Sequence, residues 1–195
     1  DYYASRGLGD VYKRQGKVFA AMCAQTMILK FGVTEILNSG VAGTLTPELH
    51  IGDVAVSTAC VQHDMDTSAV GDPVGLISGI NIIELPADEK MAAELDRVCT
   101  SANVNHRLGV IASGDQFVHT HERREWIVNT FKASAVEMEA AAIAQVCHVN
   151  KIPFAAIRVI SDEASGDVHV DYMTFVKAAA ATSSDIALRW LRARA

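Results

Sequence analysis

Two apolar runs in this chain end in carboxylates, and that pattern narrows the fold more than any other feature. Residues 133–136 lead straight into Glu137-Met138-Glu139 and then an alanine-rich stretch. Residues 154–160, with Arg158 inside the run, lead into Ser161-Asp162. Runs this short and this apolar read as buried strands. A carboxylate at the rim of a core costs free energy unless something binds or pairs it. Two such strands therefore point to one site at the carboxyl edge of a sheet, where open α/β sheets bind ligands. The groups there suit a neutral polyol together with a group that must be protonated.

The rest of the chain alternates helix and strand. Residues 17–31 carry apolar side chains at 18, 21, 22, 28 and 29, a helical spacing, and Gly32 is placed to cap the helix. Glu35-Ile36-Leu37 starts a short strand that enters a tight small-residue turn, Asn38-Ser39-Gly40-Val41-Ala42-Gly43. Residues 53–61 read as a strand, and 64–81 as a loop bearing Gly and Pro. Helices are expected over 87–102, 122–131, 140–149 and 172–192, and strands over 106–112, 133–136 and 154–160. This order predicts an α/β fold with a mixed, largely parallel central sheet flanked by helices.

Composition sets the bounds. The 195 residues are 50% hydrophobic and 21% charged, which fits one globular domain, here residues 16–195. A formal net charge of -6 argues against a nucleic acid or an anionic membrane as partner. Cys23, Cys60, Cys99 and Cys147 lie far apart in apolar or helical contexts and read as reduced core thiols of a cytoplasmic protein. No apolar run approaches the roughly 18 residues that span a membrane. Residues 1–15 show neither helical nor strand periodicity. They look like translated adapter sequence ahead of a truncated reading frame, a non-native leader excluded from fold reasoning.

Several residues carry two readings. Gly40, Ala42 and Gly43 would let backbone approach a ligand closely, or would simply make a turn. Phe117 follows the strand-end sequence Ser113-Gly114-Asp115 and could stack on a flat base or fill the core. Glu139 alone is explained as a helix N-terminal acid. Glu137, emerging from an apolar strand, is not. Asp162 could cap the next segment, but after a largely apolar run it is a candidate general acid. His119 and His121 form a His-x-His without a convincing third ligand, so no metal is expected.

Taken together, the blocks Gly16-Lys17-Val18, Asn38-Ser39-Gly40-Val41-Ala42-Gly43, His63-Asp64, Ser113-Gly114-Asp115, Val136-Glu137-Met138-Glu139 and Arg158-Val159-Ile160-Ser161-Asp162 have a familiar order and spacing. From Gly16 onward the chain resembles the 5′-methylthioadenosine/S-adenosylhomocysteine nucleosidases, of the purine nucleoside phosphorylase/uridine phosphorylase superfamily. The resemblance implies hydrolysis of the N-glycosidic bond, releasing adenine and a 5-thioribose, without cofactor or metal. It implies that Asp162 protonates N7 of adenine with support from Ser161. Glu139 would hold the ribose hydroxyls, Met138 would pack on the ribose, and Glu137, Val41 and Ala42 would line the site. Phe117 would stack on adenine, the Val118 backbone would read the base edge, and Tyr172 would lie near the purine. Arg158 would help organise the catalytic water. A homodimer is implied, with the loop around Val70 reaching the partner's alkylthio pocket.

The resemblance also implies an absence. Family members begin with a strand delivering a glutamate as general base, then further strands before the Gly-Lys-Val helix. Residues 16–195 hold no counterpart, so the fold is expected to miss its first strands and to expose a sheet edge. Two other readings stay open: a phosphorolytic enzyme, against which the neutral Asn38 speaks, and an inactive adenine-binding fragment.

Overall fold

The computed structural model describes residues 15–163 and 168–194, with side chains of the second stretch from Tyr172 onward. All but the last residue of the expected leader lies outside the described residues. The elements are α1 (Lys17–Phe31), β1 (Ile36–Thr44), β2 (Val54–Gln62), β3 (Leu85–Pro86), α2 (Glu89–Ser101), β4 (His106–Ser113), α3 (His121–Phe131), β5 (Ala133–Glu137), α4 (Ala140–Asn150), β6 (Phe154–Asp162) and α5 (Val168–Arg192). Local chemistry sets their ends. The Asp88 carboxylate accepts the Met91 N–H at the start of α2, the Thr120 hydroxyl does the same for Arg123 at α3, and Gly32 ends α1 in the left-handed region.

The strands form a mixed sheet in the order β3-β2-β4-β5-β1-β6, flanked by helices. The long pairings, β1 with β6 and β2 with β4, are parallel, as is β4 with β5. The short ones, β1 with β5, β2 with β3 and β2 with β6, are antiparallel. The sheet is not open, as the sequence suggested. Val54, Ala55 and Val56 of β2 pair with Val159, Arg158 and Ile157 of β6, so the twisted sheet curls until its far strands meet. On its other side β1 pairs with β5 only through Gly43 and Thr44. Along Ile36–Ala42, β6 is the strand neighbour of β1 among the described residues.

Every residue of β6 is buried, because both sheet faces are covered. Met91, Leu95 and Val98 of α2 and Ile186 and Trp190 of α5 pack on Val54, Val56, Ile157 and Val159. Ala24 of α1 and Ala140, Ala141 and Ala144 of α4 pack on Cys60, Ile111, Phe154 and Ala156 from the other side. Ile127 and Phe131 of α3 close a further cluster around Val61, Ala112 and Val136. Among the described residues Cys60, Cys99 and Cys147 are buried thiols without a disulfide. Among the described residues no helix is long and apolar enough to cross a membrane.

Two local readings change. The expected turn at Asn38–Gly43 is strand: β1 runs straight through it. Its small residues leave room for β6 side chains, since a Cβ on Gly40 would lie 2.7 Å from Arg158 Nη1, and one on Gly43 would lie 2.6 Å from Asp162 Oδ1. The 64–81 loop holds as a loop with one 3-10 turn, Ser68–Val70. Its apolar residues serve this chain's own core, however. Ile77 is buried and Val74 packs on the cluster containing Phe131, while Val70 is strongly exposed, at 82%.

The Gly40 contact yields a prediction. Gly40→Ala should destabilise the fold by about 1–3 kcal/mol, because the new methyl must displace a buried guanidinium. A denaturation midpoint measures it, and a change under about 0.5 kcal/mol, the ordinary scatter of neutral substitutions, would contradict the packing described.

Candidate active site

Strand register brings the acids together. Ser113 at the end of β4 lies opposite Glu137 at the end of β5, and Gly43 of β1 lies opposite both Val136 and Asp162. The carboxyl ends of β1, β4, β5 and β6 therefore meet at one place, as the two acid-ended runs implied.

Glu137 and Arg158 form its foundation. Arg158 Nε donates to Glu137 Oε2 at 3.1 Å, with Nη2 on the same oxygen, and Nη2 also donates to Asn38 Oδ1. Glu137 further accepts from the Ser113 hydroxyl and from the N–H groups of Glu139 and Ala140, both at 2.9 Å. Protein donors thus occupy both Glu137 oxygens. Through them Glu137 fixes the strand-to-helix corner from inside. Arg158, also buried, reaches the site through Glu137. Burial alone would make its guanidinium easier to deprotonate, but Glu137 and Glu139 outweigh it and hold it above its ordinary value.

Glu139 is turned differently. It sits at the N-cap of α4, half-buried, and its Oε1 accepts the Gly16 N–H at 2.9 Å. Burial raises its pKa, the Glu137 charge adds to the rise, and Arg158 opposes it. The first turn of α1 has no side-chain cap of its own. Distant acids serve it instead: Glu139 at Gly16, and Asp115 Oδ1 at the Lys17 N–H, 2.8 Å away. Lys17 Nζ pairs with Asp64 at 2.7 Å, which holds the His63-Asp64 block against the same helix end. Met138 is half-buried between the two glutamates.

Asp162 is buried and paired. Arg124 Nη2 lies 2.9 Å from its Oδ1, with both side chains almost wholly enclosed, and the Ser161 hydroxyl donates to Oδ2 at 3.0 Å. Read from sequence, Asp162 is an acid at the end of an apolar strand with no cation assigned to it. A signal for the cation exists: Arg124, Ile127 and Phe131 are the buried residues of α3, so an arginine stands on its core-facing side. Arg124 also donates to the carbonyls of Thr44 at 3.0 Å and Val118 at 3.4 Å.

The flat wall is aromatic. Phe117 is 45% exposed, and the Tyr172 ring meets it edge-on with centroids 5.5 Å apart. Val118, the next residue, is buried, as is Ala42 of β1, and Val41 is half-buried. His63, buried against Gly114, has Nδ1 3.1 Å from Arg123 Nη2. Burial first and Arg123 second push its pKa down to about 4, so its ring is neutral at ordinary pH. His119 and His121 stay exposed, and among the described residues no group of His, Cys, Asp and Glu is placed to hold a metal ion. The surface clefts of about 360 Å³ beside Pro86 and His148 and about 450 Å³ beside Thr100 and His106 lie away from these acids. The acid cluster is the candidate site because buried carboxylates and arginines converge there at the strand ends.

Known proteins supply the family. Residues 3–192 match the phosphorylase superfamily, and the chain belongs to it. It is 41% identical to the aminodeoxyfutalosine nucleosidase of Helicobacter pylori over 93% of this chain and 78% of that protein. It is 40% identical to the 5′-methylthioadenosine/S-adenosylhomocysteine nucleosidase of Staphylococcus carnosus, over 91% and 78%. The solved Helicobacter pylori nucleosidase with butyl-thio-DADMe-Immucillin-A superposes with a TM-score of 0.87 at 38% identity, covering 91% of this chain and 76% of that one. These relatives fix the reaction class as N-glycosidic hydrolysis of a nucleoside.

Two predictions rest on the acid pairings. Arg158→Met should destabilise by about 3–5 kcal/mol by leaving Glu137 buried and unpaired, and adding Glu137→Gln should recover part of the loss. Equal or additive losses in the double variant would contradict the pairing. Glu139 is favoured in its protonated form by the fold, so its contribution to stability is present at low pH and is lost as pH rises through its raised folded pKa. The melting temperature of Glu139→Gln should therefore gain on the parent as pH rises from acid to neutral. A Glu139→Gln variant that falls further behind the parent as pH rises would overturn the assignment.

Proposed function

We propose that this chain hydrolyses the N-glycosidic bond of 5′-methylthioadenosine and S-adenosylhomocysteine, releasing adenine and the 5-thioribose product. One observation carries the reading: a buried aspartate, oriented through both oxygens by Ser161 and Arg124, beside an exposed aromatic face. Breaking the bond leaves its electron pair on the purine and positive charge on the ribose. Asp162 delivers a proton to N7 and removes the leaving-group charge. Glu139, at the strand-to-helix corner, accepts hydrogen bonds from the two ribose hydroxyls and faces the developing cation. Phe117, backed by Tyr172, stacks on adenine, the Val118 backbone reads its edge, and Val41, Ala42 and Met138 pack around the sugar. Arg158 and Glu137 hold Glu139 in place from behind. Water supplies the oxygen that ends on C1′.

The protein acts, in this reading, as a cytoplasmic homodimer in which exposed Val70 reaches the neighbour's alkylthio pocket. A fully active monomer would rule out the shared pocket.

A second reading concerns the substrate alone. Aminodeoxyfutalosine nucleosidases of Helicobacter pylori and Campylobacter jejuni match at 41% and 37% identity, as well as the methylthioadenosine enzymes do. Measuring kcat/KM for adenine release from 5′-methylthioadenosine and from aminodeoxyfutalosine separates them. Preference for the first supports the proposal, and turnover of the second alone overturns it. Asp162→Asn should lower adenine release by about 10²–10⁴-fold, the range for loss of a general acid, and leave adenine binding largely intact. Near-native turnover in that variant would remove Asp162 from the acid role.

A further inference from the structure

Arg124 belongs to no block of the resemblance, yet among the described residues it is a cation that Asp162 meets. It lies on the buried side of α3, 3% exposed. Its Nη2 reaches Asp162 Oδ1 at 2.9 Å and the Val118 carbonyl at 3.4 Å, and its Nη1 reaches the Thr44 carbonyl at 3.0 Å. Its Nε is buried without a hydrogen-bond partner, so this guanidinium is not placed merely to satisfy itself. Gly43 makes the arrangement possible: a Cβ there would lie 2.6 Å from Asp162 Oδ1 and 3.4 Å from Arg124 Nη2. Around the carboxylate, β1 presents uncharged Gly43 and Thr44, β6 presents the Ser161 hydroxyl, and α3 presents the Arg124 charge. Glu163, next along the chain, turns away to His50.

We propose that Arg124 is a positioning residue for the acid: it holds Asp162 ionised and aimed in the empty site, so that the proton for purine N7 is taken from solvent when the base binds. The inference rests on the nucleosidase reading above. A cation at hydrogen-bond distance in a buried place favours the charged carboxylate. A purine N7 has only a lone pair to offer, so it is bonded by the protonated acid and not by the carboxylate. Binding of adenine then takes up a proton from water onto Asp162, and that proton lies between Oδ2 and N7. On cleavage it moves to N7 as the C1′–N9 electrons pass to the ring. The Val118 contact ties the same guanidinium to the backbone that reads the base edge.

The test is calorimetry of adenine binding to the full chain in buffers of different ionisation enthalpy, which counts protons taken up per adenine. The parent should take up close to one proton near neutral pH. Arg124→Met should take up far fewer, because its acid is already protonated, and its binding should persist to higher pH. Arg124→Lys should restore the uptake. Melting curves confirm that the variants fold. Uptake in Arg124→Met equal to the parent's, or a Lys variant that behaves like Met, overturns the inference while leaving the site in place. If the parent binds no adenine, the nucleosidase reading itself falls, and this inference with it.

Discussion

The buried pair of Glu137 and Arg158 is the interaction on which the rest of the site depends. Separately, each charge in that position would cost several kcal/mol in desolvation. Together, with Ser113, Asn38 and the first N–H groups of α4 supplying hydrogen bonds, they tie β1, β4, β5 and β6 to one another. A pair so completely satisfied fixes register, since sliding either strand by one residue would strand a charge in the core. It also leaves Glu139 as the glutamate that faces outward, with its carboxylate pushed toward protonation by burial first and by the Glu137 charge second.

Much of this is legible in the sequence. α1 is readable to its residue bounds, because its apolar spacing and Gly32 agree on where the helix stops. The acid-ended runs locate the site, because a carboxylate next to an apolar strand must either be paired or meet a ligand. Three things are not legible. The Asn38–Gly43 stretch looks like a turn, since small residues mark turns when their cross-strand neighbours are unknown; here they make room for Arg158 and Asp162. Closure of the sheet depends on accumulated twist, which no single strand encodes. The roles of Glu137 and Arg124 depend on partners 21 and 38 residues away. Spacing along one element can mark Arg124 as inward-facing, but not what it meets.

The same pairings bear on water against phosphate as the acceptor. A phosphorolytic site needs cations free to hold a dianion. At these strand ends Arg158 is held by Glu137, Arg124 by Asp162 and Lys17 by Asp64, and Asn38 is neutral and engaged with Arg158. An anion arriving at those three cations would have to compete with carboxylates already in contact. Water needs no such charge, and a ribose needs only the acceptors that Glu139 supplies.

The most direct test of that account is the fate of the acceptor oxygen. The chain would be incubated with 5′-methylthioadenosine in phosphate buffer made in ¹⁸O-labelled water, and the sugar product weighed by mass spectrometry. The account predicts free adenine and a free methylthioribose carrying one ¹⁸O at C1. An unlabelled sugar 1-phosphate would contradict it.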